Sequence, residues 1–186
     1  MTMITRRRTT RIAASLAGLA IAGLAAGTSL AAEEKSVAIT QIVEHPALDA
    51  TRQGVQDALK AAGWEVGKNL TWDYQNAQGN VATAAQIARK FVGEQPDAIV
   101  AIATPSAQAV AAATRDIPVV FSAVTDPVGA KLVSSMEKPG GNVTGVSDLS
   151  PMDEHLKLIT RITPNVKRLG VIYNPGEANA VALVDL

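Results

Sequence analysis

Three observations predict an α/β fold built on a parallel, doubly wound sheet. Apolar β-type stretches alternate strictly with helix-patterned segments, and the connections between them are short. Three of the β stretches also run directly into a polar residue followed by proline, where a helix pattern begins. These junctions are His45-Pro46 after VAITQIVE, Thr104-Pro105 after AIVAIA and Asp126-Pro127 after VVFSAV; Ser150-Pro151 opens a fourth helix pattern after VTGVSDL. Proline suits the first helical turn because its missing N–H has no helical partner there and its φ is already right. The residue before it can cap the helix. Alternation of this kind requires a sheet covered on both faces. The right-handed crossover rule narrows the topology, and the order expected is 2-1-3-4-5.

Residues 36–43 read as the first buried strand. Residues 47–62 follow as a helix, with Leu48, Val55, Leu59 and Ala62 on one face and Gly63 as its stop. Residues 70–74 alternate as a second strand. Asn80 caps a second helix, which carries Val81, Ala84, Ile87, Ala88 and Phe91 inward and ends before Pro96. Residues 98–103 make a third strand and 106–114 a short alanine-rich helix. Residues 117–123 make a fourth strand, and 128–136 a helix with Val128, Leu132 and Met136 inward. Residues 142–146 make a fifth strand.

The pattern then restarts. Ser150 is expected to cap a helix with Asp153 in the capping-box position, and Leu156, Ile159 and Ile162 form its apolar face. Residues 168–173 read as another buried strand, Asn174-Pro175-Gly176 as a turn, and residues from 177 onward as the start of a helix. One helix, one strand and part of a second helix do not bury a core of their own. The expected organisation is therefore residues 1–31 as a leader, 32–146 as a first lobe, and 147–186 as a crossover with the incomplete start of a second α/β lobe.

The leader reading rests on Arg6, Arg7, Arg8 and Arg11, an apolar run from Ile12 to about Ala26, and Ser29-Leu30-Ala31 as a cleavage sequence. The run is diluted by glycine and alanine, and a membrane anchor needs about 20 strongly apolar residues. Cleavage after Ala31 and a periplasmic location are expected. The chain has no cysteine, so it carries neither a disulfide framework nor a lipid-anchoring cysteine. After Ala31 the chain keeps 13 basic against 17 acidic residues. With no basic patch among aromatics, nucleic acid is not an expected partner.

In a parallel sheet of this kind, ligands bind at the carboxyl ends of the strands. The junction residues are therefore the candidate site. His45 reads equally as a helix-start residue or a ligand contact. Ser106 reads as a first-turn cap or, with Thr104, as a ligand hydrogen bonder. Asp126 reads as a cap, an amine-binding carboxylate, or both, with one oxygen for each. His45 and His155 lack metal-ligand spacing, so no metal is expected. TPSAQ is not a nucleophile elbow, and no Ser/His/Asp set or carboxylate pair assembles, so an enzyme is not expected. Lys138-Pro139-Gly140-Gly141-Asn142 has neither nucleotide-binding glycine pattern and reads as a turn. No cofactor is expected.

The segments HPALDATRQG, IATPSAQA, FSAVTDPVGAKLV, GGNVTGVSD and LGVIYNPGEANA together resemble periplasmic substrate-binding proteins of ABC transporters. The likeness is greatest to the subfamily that includes tryptophan- and tyrosine-binding members. This resemblance implies a type I periplasmic-binding-protein-like fold, with two α/β lobes joined by crossovers and a solute clamped between them. By position it implies ligand contacts from His45, Thr104, Ser106, Thr125 and Asp126 in the first lobe. From the second it implies Asn174, Glu177 and Asn179, with Ser147 and Asp148 near the hinge. The implied partners are a small solute, amino acids among the candidates, and an ABC permease in the inner membrane. Two other readings are a ligand-sensing receptor domain and an exported α/β hydrolase. Members of the family are longer, so the chain reads as ending partway through the second lobe.

Overall fold

A computed structural model describes residues 34–186. Its elements in order are β1 (Lys35–Gln41), α1 (Pro46–Ala61), β2 (Leu70–Asn76), α2 (Val81–Glu94), β3 (Ala98–Ile102), α3 (Thr104–Ala113), β4 (Val119–Val124), β5 (Val143–Ser147), α4 (Met152–Ile162) and α5 (Ala178–Val184). The five strands form one sheet in the order β2-β1-β3-β4-β5, parallel throughout. This is the expected order. The leader assigned to residues 1–31 lies outside the described residues.

Strand alternation sorts the core onto two faces. Ala38, Ile99, Ala101, Val119, Phe121 and Val143 face α2 and α3, which bury Ala84, Ile87, Ala88, Phe91, Ala107, Val110 and Ala111 against them. Val37, Ile39, Leu70, Val100 and Ile102 form the other face, covered by Leu48, Val55 and Leu59 of α1 with Trp64, Trp72 and Tyr74. That cover is thinner. A cleft of about 420 Å³ remains along Val55, Leu59, Val100, Val120 and Val146. Gly145 is required where β5 meets β4, because a Cβ there would overlap the Phe121 carbonyl and ring.

The helix ends follow local chemistry. His45 Nδ1 accepts from the Ala47 amide at 3.3 Å, and Pro46 occupies the first helical position of α1. Gly63, at φ +92°, closes the helix by donating to the Lys60 carbonyl. Asn80 caps α2 through its Oδ1 and the Thr83 amide at 3.0 Å.

Four expectations about elements are corrected. Residues 128–136 are turns, not a helix. Asp126, Pro127 and Val128 start a helical turn, with the Ala130 amide donating to the Asp126 carbonyl, but Lys131 at φ +60° ends it. Ser134 Oγ then donates to the Lys138 carbonyl at 2.9 Å, drawing the chain into the turn at Pro139-Gly140. Leu132 is buried as expected, whereas Val128 and Met136 are exposed. Second, residues 168–173 form no strand, and Leu169, Val171, Ile172 and Tyr173 are exposed. A β stretch holds its shape by pairing its backbone, and among the described residues no strand lies beside this one. Third, Ser150 does not cap α4. Pro151 occupies the cap position without a side-chain bond, so the capping box fails by one residue of offset. Fourth, Thr104 is the first residue of α3 rather than its cap. The cap position belongs to Ala103.

Candidate functional site

The strands end in register. Gln41, the last residue of β1, pairs with Ile102, the last of β3, and Val124 of β4 pairs with Ser147 of β5. The carboxyl edge therefore brings together the segments that leave β1, β3, β4 and β5. Three of these carry the predicted junction residues, and the geometry of each differs.

At β3–α3 the chain turns through Ala103, which sits at φ 75° and ψ 154°. That region is almost exclusive to glycine and costs a side-chain-bearing residue about 1–3 kcal/mol. The turn leads directly into α3, whose first residue is Thr104. The first α3 amide to find a backbone acceptor is that of Ala107, which donates to the Ala103 carbonyl. The amides before it belong to the open end of the helix, where partial positive charge gathers. Thr104 and Ser106 are both buried there, and neither Thr104 Oγ1 nor Ser106 Oγ has a hydrogen-bond partner.

At the end of β1, Thr40 and Gln41 are buried as completely as the apolar residues around them. Thr40 Oγ1 and Gln41 Oε1 are also without partners. Buried polar atoms nearly always find one, because an unmet bond costs about 1–3 kcal/mol. Two such atoms therefore lie at the end of β1, on side chains that alternate to opposite faces of the sheet, with Gln41 on the α1 side, and two lie on the first turn of α3. Thr40 and Gln41 escaped the sequence reading because they sit inside an apolar run. Two adjacent polar residues closing a buried strand were the available signal.

His45, which follows β1, is exposed, and its Nδ1 is used for capping. After β4, Asp126 Oδ1 accepts from the Gly129 amide at 2.8 Å, a cap for the short turn there. Gly129 leaves room for the Asp126 carboxylate, which a Cβ there would displace. Thr125 is held through its carbonyl, which accepts from Ser147 Oγ at 2.9 Å, and the Asp148 amide donates to the Val124 carbonyl. Ser147 and Asp148 thus tie the exit of β5 to the exit of β4.

Asn174, Glu177 and Asn179 form a separate group. Asn174 Nδ2 donates to Glu177 Oε1 at 2.9 Å, and Asn174 Oδ1 accepts from the Gly176 amide at 3.0 Å. Asn179 Oδ1 is buried without a partner. α5 lies beside α3, and Ala178 packs on the core that α3 covers. Among the described residues no hydrogen bond joins this group to the junction residues.

At the opposite edge of the sheet the Asp97 carboxylate is well paired. Asp97 accepts from the Ser36 amide at 2.7 Å and from Ser36 Oγ at 2.9 Å, and it pairs with Lys35 at 3.2 Å. The Ser36 bonds, with help from Lys35, hold its carboxyl below the usual range. For Asp73, burial acts to raise the pKa, but hydrogen bonds from Lys90 and Gln75 outweigh it and the net shift is downward. A satisfied charge, Asp97, thus marks the amino edge, and unsatisfied neutral groups mark the carboxyl edge. Among the described residues no three His, Asp or Glu side chains converge to hold a metal.

A family model described as ABC transporter substrate binding protein matches residues 36–186. A tyrosine-binding protein of Clostridioides difficile (strain R20291) is 50% identical over 153 residues, which are 82% of this chain and 44% of that protein. A crystal structure of a conserved domain protein from Vibrio cholerae O1 biovar eltor is 66% identical with a TM-score of 0.80, covering 82% of this chain and 52% of that one. The structure of an ABC domain in complex with L-Trp from Streptococcus pneumonia is 40% identical with a TM-score of 0.79, over the same shares of the two chains. The chain spans about half the length of these relatives.

Proposed function

The chain belongs to the ABC transporter substrate-binding protein family, and on that premise we propose that it serves as a solute-binding component of an ABC importer. Residues 32–146 are the first ligand-binding lobe, and residues 147–186 the crossover and the beginning of a second. Ser147 and Asp148 act at the hinge. The solute is a small molecule with a carboxylate, an amino acid by preference. Two similar proteins support that choice, one called tyrosine-binding and one solved with L-Trp.

The observation that carries the reading is the set of buried, unpartnered polar atoms on Thr40, Gln41, Thr104 and Ser106. The open end of α3 suits the solute carboxylate, since free amides and the helix dipole both favour negative charge. Thr104 and Ser106 add hydroxyls to it. Asp126 keeps one oxygen as a cap and offers the other to an ammonium. His45 and Thr125 line the rim, and Asn174, Glu177 and Asn179 meet the solute from the other side as the lobes close. The protein does no chemistry on the solute and delivers it to a permease in the inner membrane. Its leader sends it to the periplasm and is removed after Ala31.

Native mass spectrometry of the full-length protein purified from its host tests this, together with its calorimetric titration with L-tryptophan and L-tyrosine. A retained amino acid, or saturable heat with an L-amino acid, is the expected result. Absence of both across a panel of amino acids would overturn the reading.

A further inference from the structure

The amide of Gln41 has only one chemically allowed orientation. Its Nε2 donates to the Val43 carbonyl at 2.8 Å and to Asp49 Oδ1 at 2.9 Å. Both partners only accept, so they require the NH2 group on their side. Turning the amide over would set oxygen against two oxygens and lose both bonds. The side-chain oxygen Oε1 therefore faces the other way, and there it is buried with no donor. Asp49 itself is fixed in the first turn of α1 and is also met by Arg52 Nη2 at 3.5 Å.

This arrangement is built rather than incidental. Two bonds position an acceptor at the last residue of β1, which pairs with Ile102, two residues before Thr104. The charge on Asp49 polarises the amide and strengthens that acceptor. The oxygen is closed off from bulk water. A site that leaves such a group unpaired strongly rejects a ligand lacking the matching donor.

We infer that Gln41 is a specificity-determining residue whose side-chain oxygen, oriented by Asp49, accepts a hydrogen bond from an N–H or O–H donor of the bound solute. The inference rests on the solute-receptor reading above. Asp49 acts as the positioning residue and does not touch the solute.

The test compares affinities of the wild-type chain, Gln41→Leu and Asp49→Asn for matched ligands, by NMR-detected titration. L-tyrosine against its des-amino acid isolates the amine as donor, and L-tyrosine against L-phenylalanine isolates the hydroxyl. The wild type is expected to lose about tenfold or more against one of the two analogues, equivalent to about 1.4 kcal/mol. Gln41→Leu is expected to shrink that ratio severalfold, because the acceptor for that donor is gone. Asp49→Asn removes the charge and lets the neighbour present either face of its own amide, leaving only the Val43 carbonyl to demand the NH2 group, so it is expected to shrink the ratio less than Gln41→Leu does while the amide spectrum stays that of the folded chain. A ratio unchanged in both variants, or a uniform loss for all ligands, overturns the inference and leaves the receptor reading intact. Failure of every amino acid to shift any amide of the wild-type chain overturns both.

Discussion

Replacing Ala103 with glycine is predicted to stabilise the protein, an unusual direction for a substitution that removes a side chain. Ala103 sits at φ 75° and ψ 154°, where a Cβ is strained by about 1–3 kcal/mol. Glycine occupies that conformation without penalty. It also gives the unfolded chain more freedom, which costs about 0.5–1 kcal/mol. Ala103 lies outside the apolar core, so little packing is lost with its methyl group. The balance is a gain of about 1 kcal/mol, with a melting temperature about 2–4 °C higher in a chain of this size. Urea denaturation followed by circular dichroism measures it, with the slope unchanged and the midpoint raised. A lowered midpoint would refute the reasoning, because it would mean the native turn does not hold alanine in the glycine region. The strain also bears on function. It sits where α3 begins at the candidate site, so the more stable variant is expected to hold Thr104 and Ser106 less firmly.

Three further outcomes follow from the same geometry. Asp126→Ala removes the acceptor for the Gly129 amide and should cost about 0.5–2 kcal/mol in thermal unfolding; a larger fall in solute affinity than in stability would mark its second oxygen as a ligand contact, and unchanged affinity would make it a cap alone. Asp97 binds its proton less readily in the folded chain than in the unfolded one, so its contribution is present at neutral pH and fades as pH drops through its folded pKa; Asp97→Asn should flatten the acid limb of a stability–pH curve, and an unchanged limb would remove Asp97 from that role. Hydrogen exchange should be slow across residues 37–41 and 99–102, which are buried and paired on both sides, and fast after Ser150, where the apolar residues of α4 and of 168–173 are largely exposed.

The sheet was legible because its signals are local and repeated. A buried strand followed by a polar residue and proline leaves few alternatives, and alternation with crossover handedness ordered the strands. What failed depended on partners that a local pattern does not reveal. Residues 128–136 carry helical spacing, yet the bonds from Ser134 to the Lys138 and Pro139 carbonyls compete with helix once Lys131 has turned left-handed. Residues 168–173 have β composition but no strand beside them among the described residues. The candidate site was legible in its location and less so in its membership. Junction prolines pointed to Thr104, Ser106 and Asp126. For Thr40 and Gln41 the one signal was two adjacent polar residues inside an apolar run, which does not show that their bonds are left unmade. The strain at Ala103 had no sequence signal at all, because alanine there is the exception to the rule that would have flagged glycine.

The central claim is that the carboxyl edge of the sheet receives the solute. The most direct measurement is an amide-resolved NMR titration of the chain with L-tryptophan. The account predicts saturable shifts that include the carboxyl edge of the sheet, at Gln41, Ala103, Thr104 and Ser106 and at Thr125 and Asp126 after β4. Shifts clustered instead at the amino edge around Ser36 and Asp97, or along the apolar cleft at Val100 and Val120, would contradict it.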